Sequence, residues 1–226
     1  DLPVLGYLNL ISGPAIDLRK LWDVEHRDKM QQFKDLLRAI RFEIDQELRS
    51  EKVLAVTSMK QGEGKTLLAI SLAYSYSMIN KRVLLIDGNF ENNTISTTVS
   101  PKIYIEDFFK NDPLSSDRIQ NASVLGNHGG DVTLLEVSNE LFIRNKFAEL
   151  KQAYDVIIIE APSLDTMNKA KEWLLFANKT IAVFEAGQDI GAEKKQLVEY
   201  FKNMGGKFAG WILNKSVYNM RKKSKS

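Results

Sequence analysis

The stretch Val53-Leu54-Ala55-Val56-Thr57-Ser58-Met59-Lys60-Gln61-Gly62-Glu63-Gly64-Lys65-Thr66 decides the fold, because an aliphatic run empties into a glycine-bearing loop closed by a lysine and a hydroxyl residue. A helical apolar pattern follows at once, over Thr66–Met78. Strand, loop and helix in that order make a phosphate cradle: glycines let backbone N–H groups converge on oxygens, and the helix N-terminus adds its dipole. In that reading Lys60, Gln61, Gly62, Glu63, Gly64, Lys65, Thr66 and Leu67 line a nucleotide, Lys65 reaches the outer phosphates of ATP or ADP, and the Thr66 hydroxyl ligates Mg²⁺. One position departs from the general pattern of a glycine, four residues, then Gly-Lys-Thr: the leading glycine is Met59. The bland alternative is a glycine-containing turn that opens a helix.

Two more apolar runs end on carboxylates, Val83-Leu84-Leu85-Ile86-Asp87 and Val156-Ile157-Ile158-Ile159-Glu160. Ligands of open parallel sheets sit beyond the carboxyl ends of the strands, so both acids are expected to point toward the loop and hold Mg²⁺ directly or through water. Asp87 is the residue placed to accept a proton from an attacking hydroxyl. Lys65, Asp87 and Glu160 are thus the expected catalytic residues, and Thr66, Asp87 and Glu160 the expected metal residues. For each acid the alternative is a helix cap or a loop carboxylate.

Further strands are expected at Val132–Val137, Thr180–Phe184 and Phe208–Leu213, and further helices at Glu140–Gln152, Met167–Ala177 and Gly191–Met204. A long amphipathic helix over 28–49 precedes them, with Met30, Phe33, Leu36, Leu37, Ile40, Phe42 and Ile44 as its apolar residues. From Asn89 to Gly130, turn-forming residues predict loops and one short helix, Ile105–Lys110. Alternating β and α units imply right-handed crossovers. The fold class is therefore α/β, a P-loop NTPase-like three-layer sandwich on a mainly parallel, doubly wound sheet.

The 226 residues are 44% apolar with a net charge of +2, enough for one sizeable core and without the field of a dedicated nucleic-acid binder. No cysteine is present, which excludes disulfide, thiolate-metal and thiol-nucleophile chemistry. His26 and His128 stand apart, against a His-rich metal centre. No apolar run of membrane-spanning length and no signal-peptide pattern occurs, so a soluble domain is expected. Since it starts without Met, it is read as a part of something longer. The expected division is residues 1–27 as a juxtamembrane-like segment, 28–215 as the P-loop domain and 216–226 as a basic tail holding Arg221, Lys222, Lys223 and Lys225.

The three motifs in this order resemble the cytoplasmic domain of the bacterial tyrosine kinases (BY-kinases) of membrane-spanning polysaccharide co-polymerases, relatives of the deviant P-loop ATPases that partition chromosomes and place division sites. Pro3-Val4-Leu5-Gly6 is similar to the family's segment after its second membrane helix, and Gln31 through Phe42 to its first helix. Val83–Asn89 is similar to its Walker A′ strand and Val156–Glu160 to its Walker B strand. Ala182–Gln188 and Gly210–Lys215 resemble its last core strands, and the resemblance makes Asn214 the adenine-contacting residue. It implies ATP or ADP with Mg²⁺ as cofactor, the cytoplasmic face of the bacterial inner membrane as location, and membrane attachment through segments outside this chain.

Five departures shape the expectation. The second Walker A′ acid is Asn89, with Glu91 where a basic residue usually follows, and the Walker B aspartate is Glu160. The Glu, Arg, Arg triad of ring assembly reads Gln31, Lys34, Leu37, and the tyrosine-rich tail is reduced to Tyr218. Phosphotransfer is therefore expected to be weak or lost, and self-association to be weak in the isolated domain and carried by a membrane-bound parent. Lys60, five residues before Lys65, matches the signature lysine of the switch ATPases, so a partitioning-type switch ATPase is the rival reading. An exposed lysine in a polar loop is its plainer explanation.

Overall fold

A computed structural model describes residues 2–9, 27–110, 123–188 and 191–216. These residues form seven strands: β1 Val4–Asn9, β2 Val53–Ser58, β3 Val83–Asp87, β4 Val124–Leu125, β5 Val156–Glu160, β6 Lys179–Glu185 and β7 Phe208–Ser216. They make one sheet in the order β1-β7-β6-β2-β5-β3-β4, every pairing parallel. The central strand β2 is buried throughout, as a strand covered on both faces requires. After β2 the chain crosses to β3 on one side, and after β5 it returns to build β6 and β7 on the other. The sheet therefore reverses direction at β2, where the phosphate loop leaves.

The helices are α1 Arg27–Leu48, α2 Lys65–Ser77, α3 Thr94–Val99, α4 Ile105–Phe108, α5 Leu134–Val137, α6 Glu140–Ala153, α7 Met167–Phe176 and α8 Ala192–Asn203. Alternation along β2 splits the core in two. Leu54 and Val56 pack with Phe33, Leu37, Ile40 and Ile44 of α1 and Leu68, Leu72 and Tyr76 of α2. Val53 and Ala55 join the opposite cluster, with Phe147 of α6, Trp173 of α7 and Phe201 of α8. Helices on both faces of one parallel sheet give the three-layer architecture expected.

Several local expectations change. Val132–Val137 contains no strand: Thr133 accepts the Glu136 N–H while Glu136 bonds back to the Thr133 N–H, a capping box that starts the helical turn α5. The region 89–130 supplies α3 and the edge strand β4 in addition to the short helix at Ile105. Val4–Asn9, read as part of the segment ahead of the domain, is a sheet strand against β7. Its close approach depends on Gly210, whose φ of +150° and a Cβ position 2.6 Å from the Pro3 carbonyl oxygen leave room for no side chain. On α1, Phe42 is 60% exposed and not part of the apolar stripe. The Met30 side chain, His26, Tyr218 and the basic tail lie outside the described residues.

Candidate functional site

β2 ends at Ser58, and the chain turns through Met59–Gly64 into α2, whose first residue is Lys65. Gly62 has φ +85° and open space where a Cβ would stand. Gly64 has φ +100°, and a Cβ there would collide with the Asn214 amide of β7. Asn214 Nδ2 donates to the Glu63 carbonyl at 2.9 Å, so this residue braces the loop from β7, two strands away from β2 in the sheet. Inside the turn, Glu63 Oε2 accepts the N–H groups of Met59 at 2.9 Å and Lys60 at 3.0 Å. The Lys60 side chain is exposed, Leu67 is half-buried, and the Gln61 N–H reaches Asp165 Oδ2 at 3.3 Å.

Beneath the loop, Thr66 Oγ1 donates to Glu160 Oε1 at 2.7 Å, and Lys65 Nζ lies 3.5 Å from the same oxygen. Strands β3 and β5 pair with Asp87 opposite Glu160, so adjacent strands deliver both acids to one end of the sheet. Parallel register sets Asp87 beside Glu160, and the loop after β2 carries Lys65 and Thr66 to Glu160, so that three separate segments meet. Burial pushes the Glu160 carboxyl up to about 7, with the Lys65 ammonium and the Thr66 hydroxyl acting the other way.

Asp87 is fully buried and spoken for. Its Oδ2 accepts the Ser96 N–H at 2.8 Å and the Ser96 hydroxyl at 2.7 Å, and its Oδ1 accepts the Asn89 N–H at 3.4 Å. Burial pushes its carboxyl above the usual value, so that it holds its proton more tightly, and these bonds partly oppose that. Asn127 completes the clamp, donating its amide to the Asp87 carbonyl and its N–H to Ser96 Oγ. Ser96 on α3, Asn127 after β4 and Asp165 in a short helical turn were missed in the sequence because no spacing signal ties them to the acids or the loop. Asn89 accepts the Asn92 N–H, and Glu91 pairs with Lys169 at 2.5 Å, away from Asp87.

The raised Glu160 value has a stability consequence. The folded state holds this proton more tightly than the unfolded chain, so the contribution is full below about 4.5 and is lost as pH rises to about 7. At about 1.4 kcal/mol per pH unit, the window is worth ~3 kcal/mol. Glu63 and Asp87, also raised by burial, act in the same direction. Urea unfolding at pH 5 and pH 8 should show the wild type losing more stability over this interval than Glu160→Gln; parallel profiles would refute the assignment.

The donor set fits a nucleotide with Mg²⁺. Open space at Gly62 leaves room for an oxyanion against the loop, and a hydroxyl with a carboxylate at 2.7 Å supplies the hard oxygen ligands that Mg²⁺ takes beside phosphate.

The family model described as an AAA domain matches residues 51–209. The chain belongs to that family. It is also homologous to capsule-type tyrosine kinases: the putative tyrosine-protein kinase CapB of Staphylococcus aureus is 27% identical over 175 residues, covering 73% of this chain and 75% of CapB. The crystal structure of the chimerical protein CapA2B2 superposes with a TM-score of 0.76 at 21% identity, over 95% of each chain. The septum site-determining protein MinD of Pyrococcus horikoshii, complexed with Mg-ADP, superposes with a TM-score of 0.55 at 20% identity, over 75% of this chain and 72% of MinD. This AAA-domain chain thus has the fold shared by tyrosine-kinase domains of this kind and by MinD-type ATPases.

Proposed function

We propose that the chain is an ATP·Mg²⁺-binding, tyrosine-kinase-like domain that works as the cytoplasmic module of a membrane polysaccharide co-polymerase in capsular or exopolysaccharide production, with weakened phosphotransfer. The observation that carries it is the convergence of Lys65, Thr66 and Glu160 within 3.5 Å beneath an open glycine loop. The backbone from Gly62 to Thr66 and the Lys65 ammonium would hold the phosphates, and Thr66 with Glu160 would hold Mg²⁺. When bound, that ion supplies charge neutralisation at the phosphate oxygens. Lys65 supplies fixed positive charge, and Asn214, which fixes the loop, would be the residue that contacts the base. In this reading attachment to the inner membrane would be made through segments outside this chain; among the described residues no helix is long and apolar enough to cross a membrane.

Weak phosphotransfer follows from three features. Asp87, the candidate proton acceptor, has both oxygens engaged by Ser96 and Asn89. Asn89 removes a charge that the related kinases place beside the metal. Glu160 touches Thr66 directly, where a shorter acid would sit back by more than about 1 Å, a displacement able to cost about two orders of magnitude in rate. Incubation with labelled ATP·Mg²⁺ and mass spectrometry should find almost no phosphotyrosine on the unmodified domain. The double change Asn89→Asp with Glu160→Asp should gain ATP turnover. Robust phosphotyrosine on the wild type would sink this part of the reading.

Weak self-association is part of the proposal. Leu37, at the last position of the clasp triad, is fully buried in the core, and Gln31 bonds Asp35 on its own helix. Neither is placed for a charged contact with a neighbour. The rival switch ATPase draws on the exposed Lys60 and requires ATP-dependent dimerisation; light scattering with and without ATP separates the two.

A further inference from the structure

We infer that Glu63 is the positioning residue of the phosphate loop, its carboxylate holding the Met59 and Lys60 N–H groups from inside the turn so that methionine can stand where the general pattern has glycine. For its effect on ligands this rests on the nucleotide reading above; the geometry stands without it.

A carboxylate that is 2% exposed, next to a loop built for anions, has to be held by strong partners, because burying a charge without hydrogen bonds is costly. Glu63 Oε2 has two, the N–H groups at 2.9 and 3.0 Å, both of the charge-assisted kind. The buried Lys194 of α8 favours the charged form and Glu185 opposes it, while Lys194 Nζ donates to Gln188 Oε1 at 3.2 Å. The same residue is gripped at its main chain, where its carbonyl accepts the Asn214 amide. Side chain and backbone of Glu63 therefore fix the turn at two points, one toward β2 and one toward β7.

This explains how Met59 is tolerated. The non-glycine residues with positive φ among those described are Arg49, Asn80, Ser100 and Lys215, so Met59 does not take the conformation that demands glycine. Its side chain is 1% exposed and packs in the core cluster with Ala55 and Phe90, turned away from the loop. With the Met59 and Lys60 N–H groups tied to Glu63, the part of the loop from Gly62 to Thr66 is held in register to face phosphate.

The test compares Glu63→Ala with Glu63→Gln, whose amide oxygen keeps both acceptor bonds. Binding of ADP·Mg²⁺ and of adenosine is measured by calorimetry for each. Removing the brace should weaken ADP by about tenfold while leaving adenosine unchanged, whereas glutamine should hold ADP at wild-type strength or better, since it removes an anion beside the phosphates. General destabilisation would lower both ligands together. Alanine with wild-type ADP affinity, or glutamine falling as far as alanine, overturns the inference. Should the wild type bind no ADP, the functional reading fails, and hydrogen exchange of the Met59 and Lys60 amides decides this one. Alanine must then deprotect those two amides and glutamine must not; unchanged protection in the alanine variant overturns it.

Discussion

Replacing Lys65 by methionine should weaken ATP·Mg²⁺ binding by about 2–4 kcal/mol, roughly 30- to 1,000-fold, with little loss of folded protein. Lys65 is 4% exposed at the first turn of α2, so a phosphate that meets its ammonium does so in a partly dry site where the contact is strong. The fold survives because the partner left behind adapts: Glu160, already pushed up to about 7, takes a proton in place of the lost cation. Methionine fills most of the volume of the lysine stem. Calorimetry for the ligand and thermal unfolding for the apo protein separate the two effects. A variant that binds ATP·Mg²⁺ within threefold of wild type would contradict the role given to Lys65.

Gly64→Ala should be the most damaging small change in the loop. A side chain at φ +100° costs about 1–2 kcal/mol, and the new methyl collides with the Asn214 amide. Moving that amide breaks its 2.9 Å bond to the Glu63 carbonyl, a buried interaction whose loss costs about 1–3 kcal/mol. The sum, on the order of 2–5 kcal/mol, is expected as lost nucleotide affinity together with a lower melting temperature. Asn214→Ala provides the control. If the collision is the cause, the double variant should be less impaired than the two single changes added together, since the obstructing amide is gone. Strict additivity would show that strain at residue 64 acts alone.

These residues also show where the sequence was informative. The placement of the loop, Lys65, Thr66, Asp87 and Glu160 at one end of the sheet was legible because its signal is local: aliphatic runs end there, and the carboxyl ends of parallel strands share one edge. What supports them was not legible. Ser96 and Asn127 clamp Asp87 from positions 9 and 40 residues away, and no periodicity announces a hydroxyl that will meet a carboxylate. Asn214 was read for the base; in the structure its amide donates to the loop carbonyl of Glu63. The fold shows the same division. β2, β3 and β5 are continuous β-branched and aliphatic runs, whereas β1 is a six-residue edge strand interrupted by Gly6, recognisable as a strand through its partner β7. Val132–Val137 misled for a definite reason: its aliphatic content outweighed the Thr133 and Glu136 capping pair, whose reciprocal bonds start a helical turn. Phe42 had helical spacing, but its side of α1 faces away from the sheet.

Nucleotide held with Mg²⁺ at this loop is a binding equilibrium open to measurement. Calorimetric titration of the wild-type domain with ADP and with ATP, in Mg²⁺ and again in chelator, tests it most directly. Saturable one-site binding in Mg²⁺ is expected, weakened by roughly 30- to 1,000-fold in Lys65→Met and weakened by chelation. Absence of binding at millimolar nucleotide with Mg²⁺ present would contradict it.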